Sequence, residues 1–179
     1  MKPKEYYLNL RRQYEPKPAK LVIVAESPPA TGLYFYDQAG KPSEPLFAAL
    51  MKQLNFTAPT KQDGLTELKR RGWVLVDATY EPVDKHSASG RRMSISNRNK
   101  VIERDYDQLR NDLKNLISDR STPLILIKAN VCRALKGRLA DDGFNVLNGE
   151  TIIPFPSTGQ QTKFHQEFGS ILKRSGILK

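Results

Sequence analysis

Leu21-Val-Ile-Val-Ala25, followed at once by Glu26-Ser-Pro-Pro29, is the stretch that decides the fold. Its first five residues are apolar, run without alternation and stop at a turn. A strand with one wet face alternates in polarity. A continuous apolar run needs cover on both faces, which crossover helices provide in a parallel sheet. The same pattern returns in Trp73-Val-Leu-Val-Asp77 and Pro123-Leu-Ile-Leu-Ile127, and more loosely in Thr151-Ile-Ile-Pro-Phe155. Pro154 has no N–H to give to a ladder, so the fourth run is expected at an edge or to stop early.

Helical spacing fills the intervals. Between Glu44 and Phe56, Leu46, Leu50 and Leu54 recur every fourth residue with Phe47 and Met51 beside them. Leu65 and Leu68 predict a short helix ending at Gly72. From Asn97 to Ile117, the residues Ile102, Tyr106, Leu109, Leu113 and Leu116 form one helical face. Val131, Leu135 and Leu139 predict a helix closed near Gly143, and Phe164, Phe168 and Ile171 predict a last one over Gln160 to Arg174. Strand and helix alternate throughout. The expected fold is therefore a single α/β domain over residues 21–179, with a four-stranded, mostly parallel sheet covered by helices on both faces. Residues 1–20, with three prolines and Tyr6, Tyr7 and Tyr14, read as a basic N-terminal arm. Residues 81–99 read as a long polar loop, and such loops in compact domains are usually functional or disordered.

Composition narrows the function classes. One cysteine, Cys132, excludes an intramolecular disulfide framework and any four-cysteine metal cage; it reads as a small core residue. No apolar run approaches membrane-spanning length, and the N-terminus shows no secretory h-region, so a cytoplasmic setting is expected. Twenty-nine Lys and Arg against nineteen Asp and Glu leave a formal charge of +10. Such a field draws in polyanions, which makes nucleic acid the leading partner and a membrane surface not expected. A monomer without a cofactor is the expected state.

Ligands of parallel α/β sheets meet the carboxyl ends of the strands. The segments that gather there are 25–35, 77–82, 128–130 and 155–159, which carry Glu26, Asp77, Glu81, Lys128, hydroxyls and aromatic rings. Within them, Ala25-Glu-Ser-Pro-Pro followed by Gly32-Leu-Tyr-Phe35 resembles the first motif of the uracil-DNA glycosylase superfamily. Phe155-Pro-Ser157 resembles its second, His-Pro-Ser, and the order of strands and motifs agrees over roughly residues 20–175. The resemblance implies a three-layer α/β/α sandwich and a reaction on a base flipped out of the DNA duplex. It implies base contacts from Phe35, Asp77 and Phe155, and contacts to phosphate from Ser157 and Thr158. Arg91, Arg92 and Arg98, in the densest basic cluster near that edge, are expected on the DNA backbone.

The departures from the motif are chemical. Ser27 stands where the best-known members place a water-positioning Asp, and Phe155 where a His donates to the uracil oxygen. Asp77 stands where an Asn reads the pyrimidine edge; an ionised carboxylate only accepts, so it favours amino-bearing edges. The apolar wedge position falls near Gly159. Efficient uracil excision is not expected. Glu26 and Ser27 are the candidates for residual catalysis of N-glycosidic hydrolysis. A base- or nucleotide-binding module without hydrolysis and a metal-dependent phosphodiesterase using Glu26, Asp77 and Glu81 are the alternatives. His86 and His165 read as a solvated loop residue and a helix-surface residue.

Overall fold

The computed structural model describes residues 2–84 and 92–178. Among them the chain runs α1 (Lys4–Arg12), β1 (Leu21–Ala25), α2 (Pro45–Gln53), α3 (Lys61–Arg71), β2 (Trp73–Asp77), α4 (Ile95–Arg104), α5 (Tyr106–Leu116), β3 (Pro123–Leu126), α6 (Ala129–Asp141), β4 (Asn145–Val146) and α7 (Gln161–Arg174). The strands lie in the order β2-β1-β3-β4, and every pair is parallel. Leu21, Ile23, Trp73, Leu75 and Ile125 project to one side, against Phe47 and Leu50 of α2, Leu65 of α3 and Phe164 and Phe168 of α7. Val22, Val24, Val74, Val76, Leu124 and Leu126 project to the other, against Ile102 of α4, Leu109 and Leu113 of α5, and Leu135 of α6. The result is a three-layer α/β/α sandwich. No helix among the described residues is long and apolar enough to cross a membrane.

Local signals fix the helix ends. Thr60 and Asp63 form a reciprocal capping box at the start of α3, and Gly72 ends it at φ +80. The Gly72 carbonyl then accepts from the Lys20 and Leu21 N–H groups, at 2.7 and 3.1 Å, which ties the end of α3 to the start of β1. Gly64 faces α2 so closely that an added Cβ would run into the Phe47 ring and come within 2.8 Å of Met51 Sδ. Gly64→Ala should therefore cost roughly 1–3 kcal/mol in urea denaturation, although alanine is the better helix former. Unchanged or increased stability would mean that α2 retreats freely.

Three elements differ from the sequence expectation. The expected fourth strand at 151–155 is replaced by the two-residue β4, and the continuation of the β3 edge is taken by a side chain. The Asn148 amide accepts from Leu126 N–H at 2.8 Å and donates to Leu126 C=O at 2.9 Å, standing in for a strand backbone. Thr151 to Phe155 keeps one bond to the sheet, from Lys128 N–H to the Ile153 carbonyl at 2.8 Å. The single helix expected over 97–117 is two, because Asp105 bends the chain while its carboxylate accepts from the Thr79 hydroxyl at 2.6 Å. The buried face runs on unbroken from Ile102 to Leu113, which is why the periodicity spanned the break.

The basic segment before β1 carries α1, with Tyr7, Leu8 and Arg11 buried. Arg11 makes a two-pronged ion pair with Asp112 of α5, both contacts at 2.6 Å, and donates to the Tyr80 hydroxyl. β2 is an edge strand, and an unpaired edge invites association with other chains. Here the Tyr36 hydroxyl accepts from Leu75 N–H and donates to Leu75 C=O, at 2.7 and 2.9 Å, and Tyr14 stacks on the Tyr36 ring. That edge is thus satisfied by a side chain from the segment after β1.

Candidate functional site

A cleft of about 590 Å³ opens where the carboxyl ends of β1, β2 and β3 converge. Its lining joins Ala25 to Phe35 from the β1 loop, Asp77 from β2, Lys128 after β3, and Phe155. Glu26, Ser27, Phe35, Asp77 and Phe155, far apart in sequence, thus share one cavity wall. Phe35 is half-buried, edge-on to Tyr36 with ring centres 5.0 Å apart and tilted against Phe47 at 5.7 Å. Leu46, Leu75 and Ile127 complete the apolar lining.

Asp77 is the acid at the floor, 3% exposed. One of its oxygens accepts from the Tyr34 hydroxyl at 2.8 Å. Burial is the largest influence on its carboxyl and pushes it up; the Tyr34 hydrogen bond and the Arg11 charge pull it down, and it settles at about 7. The same burial, with Asp77 beside it, holds the Tyr34 hydroxyl well above the ordinary phenol range. Tyr34 itself is fixed by edge contact with Tyr7 at 5.0 Å and by its own carbonyl, which accepts from the Lys61 ammonium at 3.1 Å. Lys61 is fully buried and also pairs with Glu44 at 2.5 Å.

Glu26 has a different environment. Its carboxylate takes Arg98 through both oxygens, Lys128 through one, and the Asn130 amide at 2.6 Å through the other. Burial raises its carboxyl, but these partners outweigh burial and hold it below the ordinary value. A carboxylate so committed has little capacity left for a water or a sugar. Ser27 is committed as well: its hydroxyl accepts from Val83 N–H at 3.3 Å and donates to the Pro28 carbonyl at 3.1 Å. Asp84 accepts from Ala30 N–H at 2.8 Å. Together these bonds fasten the loop after β2 to the loop after β1.

No protein-family model, curated protein or solved structure matches this chain. Chemistry therefore has to be argued from the side chains themselves.

The remaining expected contacts divide. Ser157 and Thr158 are exposed on the turn before α7 and do not line the cleft. Ser157 does not cap α7, whose preceding residue is Gln160, without a side-chain cap. Arg98, expected on phosphate, is turned inward to Glu26 and is only 11% exposed. Arg92 is exposed, while Arg91 and His86 lie outside the described residues. The Gln53 amide nitrogen donates to His165 Nδ1 at 2.9 Å on the α2–α7 contact, away from the cleft lining. Glu81 pairs with Arg104 at 3.0 Å, and no group of three His, Cys, Asp or Glu among the described residues is placed to hold a metal ion. The donor set needed for a metal-dependent phosphodiesterase is not assembled from Glu26, Asp77 and Glu81.

Tyr34, Lys61 and Asn130 carry parts of this site that the sequence reading did not assign. Tyr34 opens a turn closed from Asp37 N–H to its carbonyl at 2.9 Å, so no strand periodicity marked its inward direction. Nor did a signal exist for Lys61, which sits at the first position of a capped helix, where lysines are ordinarily solvated.

Proposed function

We propose that this protein binds nucleic acid and takes a flipped base into the cleft between Phe35 and Phe155, in the manner of a uracil-DNA glycosylase but as a capturing module rather than an efficient hydrolase. One observation carries this reading: Phe35, Phe155 and Asp77 line one cleft of about 590 Å³, roomy enough for a base with its sugar, while Glu26 and Ser27 are both engaged in holding the fold. Base capture needs a stacking plane, an edge reader and an attractive field, and the chain offers Phe35, Asp77 and a charge of +10. Glycosidic hydrolysis further needs a free group to steady the water or the sugar cation, and neither motif residue is free for it. The implied partner is DNA.

The test is a panel of single- and double-stranded oligonucleotides carrying uracil, hypoxanthine, xanthine or an alkylated base. The expected result is retardation that weakens steeply with salt, without alkali-labile abasic sites. Phe35→Ala should weaken binding by roughly 1–3 kcal/mol, about fivefold to 150-fold, because the stacking plane is lost. Abasic sites at a catalytic rate would make the protein an enzyme. An absence of retardation at low salt would remove the nucleic-acid reading.

A further inference from the structure

Lys128 and Arg98 both pair with Glu26, and neither hydrogen-bonds to Asp77. One Asp77 oxygen is left open to the cleft. Asp77 is buried to 3% exposure; Tyr34 fixes one of its carboxylate oxygens, and the other has no hydrogen-bond partner among the described residues. That oxygen keeps contact with solvent, since Arg110 Nε is the one buried side-chain polar atom without a partner among the described residues, so a ligand's donor would take the place of cleft water there. Tyr34 is itself pinned by Tyr7 and through its carbonyl by Lys61, so the carboxyl cannot swing to present a different oxygen.

We infer that Asp77, clamped by Tyr34, makes this cleft select bases that present an exocyclic amino group over their carbonyl counterparts. This deepens the base-capture reading and rests on it. The selection has two parts. An amino group donates to the open oxygen. With the carboxyl ionised, as at pH 8, a carbonyl at the same place sets two acceptors against each other, which rejects the ligand; the protonated carboxyl donates to that carbonyl, so the preference shrinks as pH falls. An amide at position 77 would remove the preference, because it carries both a donor and an acceptor. The substrate class is therefore an aminopyrimidine or aminopurine edge, of which cytosine and adenine are the simplest examples.

Short strands of abasic spacer carrying one central base isolate this effect from phosphate attraction, which is the same for all of them. The pairs to compare at pH 8 are cytosine with uracil, and adenine with hypoxanthine, since in each an exocyclic amino group takes the place of a carbonyl. Fluorescence anisotropy on the wild-type protein should show the amino-bearing member bound at least about tenfold tighter in each pair. Asp77→Asn keeps the acceptor for Tyr34 and should shrink both ratios below about threefold. An equal or reversed ratio in the wild type, or a ratio unchanged in Asp77→Asn, overturns the inference. The base-capture reading fails separately: the strands with a base would then bind no better than spacer alone, and Phe35→Ala would change nothing. Circular dichroism of Asp77→Asn, with Tyr34→Phe as a second variant that unclamps the carboxyl without removing it, guards against loss of folding. Tyr34→Phe should reduce the same ratios; unaltered ratios in a folded Tyr34→Phe also count against the clamp.

Discussion

Glu26→Gln should destabilise the protein by about 3 kcal/mol, although the substitution is nearly isosteric. The wild-type carboxylate sits between Arg98 and Lys128, with side chains 4%, 11% and 30% exposed respectively. Breaking a buried ion pair by removing one partner costs roughly 3–5 kcal/mol, because the charge left behind has lost its water and its counter-ion together. Here two cations are left, and the neutral amide points a donor at one of them. Lys128 is open enough to regain some water, which keeps the expected loss at the lower end. In a domain of this size about 3 kcal/mol lowers the melting temperature by roughly 10 °C. Thermal and urea unfolding give the measurement, with Glu26→Gln/Lys128→Met expected to recover part of the loss. A drop below about 1 kcal/mol would show that these contacts are not what holds α4 against the strand ends. It would also return Glu26 to the set of groups available for chemistry.

That network explains why the site was less legible than the fold. β1, β2 and β3 declare themselves in uninterrupted apolar runs, and the Thr60 and Gly72 boundaries of α3 are local chemistry that any reader of the chain can apply. The partners of Glu26 are of another kind. They lie 72, 102 and 104 residues away, and nothing at those positions marks them as belonging to a carboxylate. Arg98 stands in a basic cluster that reads as a phosphate patch; only the packing of α4 against α6 turns it inward. Sequence thus located the segments that meet at the cleft, but not which charges are left over once they meet.

The N-terminal segment fails for the opposite reason. Tyr7, Arg11 and Tyr14 fall at four and three, a helical face, but prolines and lysines on either side gave the segment the composition of an arm. An arginine on an otherwise apolar stripe reads as a boundary until Asp112 is known to lie opposite it. The two-residue β4 was similarly hidden, because the edge of β3 is continued by the Asn148 side chain and not by a run of strand-forming residues.

Asp77→Asn should make the protein more stable, and the gain should grow with pH. In the folded chain the carboxyl titrates at about 7, against an ordinary value of 3.8, chiefly because it is buried. Below about pH 4 it is protonated folded or unfolded, and its contribution is constant. Between about pH 4 and 7 the folded chain holds a proton that the unfolded chain has released, so rising pH favours unfolding. Above about pH 7 both forms are ionised and the penalty is complete. At about 1.4 kcal/mol per pKa unit, the gap corresponds to roughly 4 kcal/mol as an upper value, with relaxation of the open cleft reducing it. The amide never ionises and keeps the acceptor for Tyr34, so the variant should match wild type near pH 4 and exceed it by about 2–4 kcal/mol at pH 8. Glu26, Asp105 and Glu67 are all held below the ordinary carboxylate range, and they give stability that is lost on acidification in both proteins. The difference between the two urea curves, and not either curve alone, is therefore the quantity to follow. A difference that stays flat from pH 4.5 to 8 would mean that Asp77 is not held in a water-poor floor. The same residue would then also lose its claim to read the edge of a bound base.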